Sequence, residues 1–161
     1  MSEFRPECPS IDGSPFRIAI VCARFNPDVV EPLLQRCVET LKAYGVQEAN
    51  LETIRVPGSN EVPWGIQVSA ESGRFDACIG MGVLLKGATL HYEVVAKSCS
   101  DAMQMIALNS FTPVINGVVV AGSLEEAKER TVGELDRGAE FAEAAIQMAA
   151  LKTKYVATDE S

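Results

Sequence analysis

Residues 77–91 read Ala77-Cys78-Ile79-Gly80-Met81-Gly82-Val83-Leu84-Leu85-Lys86-Gly87-Ala88-Thr89-Leu90-His91, and this stretch decides the fold. It opens as an apolar run without polar alternation, which suits a strand buried on both faces of a parallel sheet. A glycine-containing turn follows, and then the start of a helix. In open α/β sheets, ligands sit outside the carboxyl ends of such strands. His91, the chain's only histidine, therefore falls at a helix N-terminus on that edge. Backbone N–H groups there can hold an anion. The same dipole disfavours an imidazolium and leaves a neutral imidazole able to accept a proton. A histidine that only caps or packs a helix would occupy the same position, and position alone does not separate the two.

Working outward, the strand–helix alternation repeats. Residues 16–22 predict a first strand. Asn26-Pro27-Asp28 follows as turn and helix start, with Pro27 tolerated at the first helical position. Val30, Leu33, Leu34, Cys37, Val38 and Leu41 recur at helical spacing until Gly45. A second strand spans 51–56 and breaks at Pro57-Gly58; residues 61–72 predict a helix, 75–83 the third strand and 113–120 the fourth. After Thr89 a helix carries Val94, Val95, Cys99, Ala102, Met103 and Ile106 on one side. Ser123-Leu124-Glu125-Glu126 has the capping-box pattern. Gly133 and Gly138 suggest interruptions, and an alanine-rich last helix runs over about 139–152. The alternation implies right-handed crossovers and a parallel sheet covered on both faces. The expectation is one flavodoxin-like α/β/α sandwich with a central four-stranded parallel sheet over 16–152. A polar N-terminal arm, 1–15, is loose or extends a neighbour's sheet. A polar tail, 153–161, frays from about Tyr155.

Composition narrows the function. A net charge of −8 argues against nucleic-acid binding, because phosphate contacts need a basic footprint. An anionic substrate then requires a local cluster of donors, with Lys86, Arg130 and Arg137 as candidates. No apolar run reaches the roughly 18 residues of a membrane span, and residues 1–15 lack an apolar signal-peptide core. The expectation is a cytoplasmic protein without membrane association. The five cysteines are odd in number, form no C-x-x-C pair and mostly lie in apolar stretches, so neither a disulfide framework nor a zinc site is expected.

Three loops should meet at the carboxyl edge of the sheet. Phe25, between Arg24 and Asn26, suits stacking on a flat heterocycle or covers the edge of the core. Ser59, Asn60 and Glu61 form an acceptor-rich row for a polyol or ring amide, or else cap a helix. Lys86 meets an anion or faces solvent. Gly80-x-Gly82 lies inside the strand, too early for a dinucleotide turn, and no G-x-x-x-x-G-K-[ST] occurs, so neither NAD nor ATP is supported. Cys99 and His91 stand eight residues apart on one helix, beyond hydrogen-bond reach for a dyad.

The segments Arg24-Phe25-Asn26, Val56-Pro57-Gly58-Ser59-Asn60-Glu61-Val62-Pro63, Gly82-Val83-Leu84-Leu85-Lys86-Gly87-Ala88-Thr89-Leu90-His91-Tyr92-Glu93 and Glu126-Ala127-Lys128-Glu129-Arg130 resemble 6,7-dimethyl-8-ribityllumazine synthases, in order from about Phe16 to Lys152. The likeness looks closest to the fungal form. The resemblance implies a transferase of riboflavin biosynthesis that condenses 5-amino-6-(D-ribitylamino)uracil with 3,4-dihydroxy-2-butanone 4-phosphate, with no metal or organic cofactor. It implies that Phe25 stacks on the pyrimidine, that Ser59, Asn60 and Glu61 hold the ribityl chain and ring edge, and that Val83, Leu84 and Leu85 line the ring's other side. Ala88, through its backbone N–H, and Thr89 would bind phosphate with Arg130, and His91 would be the general acid/base. Asn26 and Arg137 are further candidates. The family's sites lie between subunits of a pentamer, with Arg130 arriving from a neighbour.

Several positions depart from the family pattern. Asn116 stands where the family usually has phenylalanine or another apolar residue, and is read as part of the ring pocket. Asn60 replaces a frequent aromatic, Thr131-Val132 replaces Ala-Gly, and Arg137 stands near a common lysine. The shortened segment 131–137 favours an isolated homopentamer over a sixty-subunit shell. The competing readings are an archaeal-type riboflavin synthase and a flavin- or lumazine-binding protein without catalysis. The intact Gly87-Ala88-Thr89 loop with His91 and Arg130 favours the synthase.

Overall fold

Four parallel strands lie side by side in the order β2-β1-β3-β4. They are β1 (Ile18–Ala23), β2 (Leu51–Val56), β3 (Ala77–Leu85) and β4 (Val114–Ala121). The computed structural model describes residues 4–156. Five helices connect and cover the strands: α1 (Pro27–Ala43), α2 (Val62–Glu71), α3 (His91–Ser110), α4 (Leu124–Thr131) and α5 (Arg137–Tyr155). A single 3₁₀ turn, Ser59–Glu61, leads into α2. The expected flavodoxin-like sandwich is what the chain forms.

The two central strands are buried on both faces because alternate residues point to opposite layers. Ile18, Ile20 and Cys22 of β1, with Ile79, Met81 and Val83 of β3, pack against α1 and α5. Ala19, Val21, Ala23 and Cys78 face α2 and α3. Burying each large aliphatic side chain contributes about 1.5–3 kcal/mol. On the α1 side, Ala142, Ala145 and Ala149 leave room for the two helices to lie close. A Cβ on Gly138 would come within 2.7 Å of the Leu33 carbonyl. Gly138 is therefore a contact glycine inside α5, where the sequence suggested an interruption. At the end of α1, Gly45 adopts φ of 100°. The Val46 N–H then reaches the Leu41 carbonyl at 3.1 Å and closes the helix.

Other boundaries also differ from the sequence reading. The third strand runs to Leu85, because Leu84 and Leu85 stay paired with Val120 and Ala121. The last helix continues to Tyr155, with no glycine or proline to stop it, so residues 153–155 are helical. The expected fraying of 157–161 falls outside the described residues. Val94 is exposed while Val95, Cys99, Met103 and Ile106 are buried, so the apolar stripe of α3 is narrower than expected. At α4, Ser123 Oγ accepts the Glu126 N–H at 3.1 Å, but Glu126 returns to the Gly122 N–H, one residue ahead of the expected partner. The arm packs on its own chain: Arg5 pairs with Glu143, and the Gly13 N–H donates to the Tyr44 carbonyl at 2.7 Å.

All five cysteines are free, and Cys22, Cys37, Cys78 and Cys99 are buried. Burial pushes the Cys37 and Cys78 thiols up to about 12, so neither supplies a thiolate near neutrality.

Asp136 ties α5 to α1. Its carboxylate takes two near-parallel bonds from Arg36, 2.9 and 2.8 Å long, and caps the Ala139 N–H. The Arg36 guanidinium holds the Asp136 carboxyl below its ordinary range. A depressed folded-state value means stability that is present above the ordinary carboxylate range and is lost as pH falls through the depressed value. Asp136→Asn, which tolerates the same left-handed backbone, should cost about 0.5–1 kcal/mol at pH 7. In urea titrations, that gap from the unsubstituted protein should shrink steadily below about pH 4.

Candidate functional site

A cleft of about 670 Å³ opens at the carboxyl edge of the sheet, on the α2–α3 side. Its size is ordinary for a small-molecule site. Three consecutive crossovers supply its walls. Phe25 and Asn26 come from the β1–α1 turn; Gly58, Ser59, Asn60 and Glu61 come from the β2–α2 turn; Val83, Leu84, Leu85, Gly87, Thr89 and His91 come from β3 and the loop after it. The sequence reading expected these three loops to meet, and they do.

Each wall has a local cause. Phe25 is 69% exposed over the cleft mouth, so it does not cover the core edge. Asn26 adopts φ of 59° at the start of α1 and makes no side-chain cap; its Nδ2–H donates instead to the Val83 carbonyl at 2.8 Å. In the second wall neither Ser59 nor Asn60 caps the helix. The Glu61 carboxylate folds back onto the Gly58 N–H at 2.9 Å and shapes the turn. Ser59 is buried, and its carbonyl accepts the Cys99 thiol from α3 at 3.1 Å. Burial, together with the Glu61 charge, raises the Cys99 thiol above its ordinary value. That thiol serves packing, in keeping with the rejected dyad.

His91 is the first residue of α3, and its N–H lies 3.4 Å from Thr89 Oγ1. The imidazole is exposed at the cleft. Tyr92, Val94, Val95 and Ser98 continue the lining along α3. The sequence reading missed them, although 91, 94, 95 and 98 follow the helical spacing that marks one face. Val94, on the apolar side of the helix, faces the cleft rather than the core.

Four expected site residues do not line this cleft within the chain. Ala88 is exposed in the loop before α3. Asn116 is exposed on the edge strand β4, opposite Gly80, and its Oδ1 accepts the Val118 N–H at 3.1 Å. Arg130 lies on α4, whose buried Ala127 packs into the α1–α5 layer, and pairs with Glu126 at 2.8 Å. Arg137 opens α5 and pairs with Glu140 at 2.6 Å. Lys86 is exposed. Among the described residues no cluster of three histidine, cysteine or carboxylate side chains could hold a metal ion. No described helix is long and apolar enough to cross a membrane.

Fold and cleft together define a flavodoxin-like α/β protein with a cleft of small-molecule size at the carboxyl edge of its sheet, lined by an exposed phenylalanine, the Ser59–Glu61 turn and a lone imidazole at a helix N-terminus. The sequence profile of 6,7-dimethyl-8-ribityllumazine synthase matches residues 15–153. Proteins named 6,7-dimethyl-8-ribityllumazine synthase from a Polaromonas species and from Paracidovorax citrulli are each 38% identical over 141 residues, covering 88% of this chain and 90% of theirs. One from Cupriavidus pinatubonensis is 38% identical over 142 residues, 88% of this chain and 83% of its own. The chain belongs to the 6,7-dimethyl-8-ribityllumazine synthase family. These relatives lend no support to a specifically fungal likeness.

Gly82 tests how the second wall is set. Any Cβ there would collide with Ser59 Oγ. Gly82→Ala should lower stability by about 1–3 kcal/mol. It should also weaken ligand binding in the cleft, because Ser59 Oγ must turn away or the Ser59–Glu61 turn must move outward. Paired denaturation and fluorescence-titration curves check both; an unshifted titration would show that the turn does not touch the ligand.

Proposed function

We propose that the cleft performs the reaction of its family: condensation of 5-amino-6-(D-ribitylamino)uracil with 3,4-dihydroxy-2-butanone 4-phosphate to give 6,7-dimethyl-8-ribityllumazine, the penultimate step of riboflavin biosynthesis. The enzyme is a transferase acting on small molecules. The observation that carries the reading is the convergence of Phe25, the Ser59–Glu61 turn and the Val83–Leu85 strand end on one cleft with His91.

The roles are those that the family likeness implies, and the lining of the cleft supports them. Phe25 offers a flat apolar face for the pyrimidine, and Val83, Leu84 and Leu85 would line the ring's other side. Ser59, Asn60 and Glu61 offer hydrogen-bonding groups to the ribityl chain and ring edge. The phosphate would sit at the N-terminus of α3, where the helix dipole favours an anion, with the backbone N–H of Ala88 and Thr89 as its donors once the substrate is bound. The amine and ketone join as an imine with loss of water, phosphate departs, and the ring closes with loss of a second water. Each step moves a proton, and His91 is the group in the cleft placed to relay it. General acid/base help of this kind is worth about 10²–10⁴-fold, and holding the two substrates together contributes much of the rest.

Arg130 and Asn116 complete the site from a neighbouring subunit. Neither lines the cleft of its own chain, yet both are presented on exposed or partly exposed surface of α4 and β4. A head-to-tail interface of this kind closes most simply as a ring. The assembly is a homopentamer, without the sixty-subunit shell, in the cytoplasm. The departures at 131–137 support the isolated ring. The residues 16–152 act as one domain. Among the alternatives, the archaeal-type riboflavin synthase and the non-catalytic binder leave the Thr89–His91 anion site and Arg130 without a purpose.

An assay with both substrates, followed by the fluorescence of the lumazine product, tests the reaction directly; no product from the purified chain would overturn it. His91→Ala should slow turnover about 10- to 10³-fold while leaving aminopyrimidine affinity nearly intact. Arg130→Ala should chiefly raise KM for the phosphate-bearing substrate, and inorganic phosphate should protect it less in thermal melts than it protects the unsubstituted protein. If sites are shared between subunits, refolding the two variants together should recover activity that neither has alone. Absence of recovery in mixed oligomers would place Arg130 and His91 in the same chain's site or outside it.

A further inference from the structure

Asn26 is an unusual way to begin a helix. An asparagine at this position ordinarily turns its side chain onto the helix's own N–H groups. Here the side chain makes no such bond. The backbone carbonyl of Asn26 still starts α1, accepting from Val29 and Val30 at 3.1 and 3.0 Å. The residue holds a left-handed conformation, φ 59° and ψ 55°, which asparagine tolerates better than most side chains. That conformation sends the amide to the Val83 carbonyl, 57 residues away, at 2.8 Å.

The bond lies where sheet pairing has run out. β1 and β3 are paired only as far as Cys22 with Met81, and β1 ends at Ala23. Beyond that point the two chains diverge, one into the Phe25 turn and the other into the Val83–Leu85 wall. The Asn26 amide spans the gap and replaces the missing ladder. The residue before it, Phe25, and the strand end it grips both line the cleft.

We propose that Asn26 is a positioning residue for the condensation: its amide fixes the spacing between the Phe25 face and the Val83–Leu85 wall, and so selects a single flat ring for the gap. This rests on the reading of the cleft as the aminopyrimidine site. The amide acts through the two walls and does not touch the reacting atoms.

Asn26→Gly removes the amide and keeps the left-handed backbone free of strain. Asn26→Asp keeps the backbone preference and sets an oxygen against the Val83 carbonyl. In steady-state kinetics both should raise KM for the aminopyrimidine about tenfold or more. KM for the phosphate-bearing substrate should stay within about twofold, because that anion is held elsewhere. A lesion of folding alone would lower the active fraction, and so the apparent kcat, while leaving both KM values unchanged; an equal change in both KM values, or no change in either, overturns the proposal. Hydrogen–deuterium exchange of the ligand-free protein decides the strut independently of activity. Amide protection should fall in both 24–30 and 83–86 in Asn26→Gly, and loss confined to the first segment would also overturn it. An unsubstituted protein that makes no lumazine would instead refute the family reaction, while the exchange result would still report on the strut.

Discussion

The structure depends on two missing β-carbons. Gly80 and Gly82 sit on β3 and face the α2–α3 layer, because their neighbours in alternation, Cys78 and Leu84, pack there. A Cβ on Gly80 would come within 2.5 Å of Met103 Sδ and 2.8 Å of Val62 Cγ1, and one on Gly82 would strike Ser59 Oγ. With both absent, α2 and α3 lie directly on the central strand. The Ser59 turn then comes down to the end of β3, within reach of the Cys99 thiol. The cleft opens just past these positions, where Val83, Leu84 and Leu85 line it. Packing density and site depth are thus set by the same two positions.

The two layers carry different burdens. The α1–α5 layer holds most of the large buried side chains, the alanine-rich helix contact and the Arg36–Asp136 tie. The α2–α3 layer is thinner, with Val62, Ile66, Ala70, Val95, Cys99, Met103 and Ile106 as its buried set. It gives up part of its apolar face to the cleft, as Val94 shows by its exposure. Sites built on the edge of a rigid sheet keep their geometry better than sites on free loops, and here each cleft wall begins within a few residues of a strand end.

Much of this was legible in the chain because period and punctuation agree. Every strand was found within a few residues, and the second strand matched at both ends. The misreadings share a cause: the sequence does not say what a glycine or an apolar side chain will meet. Gly138 looked like a break and is a helix contact; Val94 belongs to the apolar side of α3 and lines the cleft; Glu126 satisfied a neighbouring donor. In the site, the three post-strand loops were legible because turns after parallel strands share one edge. The roles within them were less so. Asn26 reads as a turn residue until the Val83 carbonyl is seen opposite it, and that pairing spans 57 positions. Arg130 and Asn116 carry no local signal of partnership, since in the proposed ring what they would meet lies outside the chain.

The acidity of the chain gives that last point a physical meaning. With a net charge of −8, a phosphate-bearing substrate gains nothing from the overall field. Within one subunit the cleft offers the α3 N-terminus but no cationic side chain among its lining residues. Arg130, meanwhile, is already satisfied by Glu126, whose other oxygen holds the Gly122 N–H. That carboxylate leaves the guanidinium paired on the surface of α4. In the proposed ring the substrate phosphate would share Arg130 with Glu126. The dianion could then be bound firmly only where the helix N-terminus of one subunit and the arginine of the next come together. Proton relay and anion binding would sit on separate chains, and catalysis would be conditional on assembly.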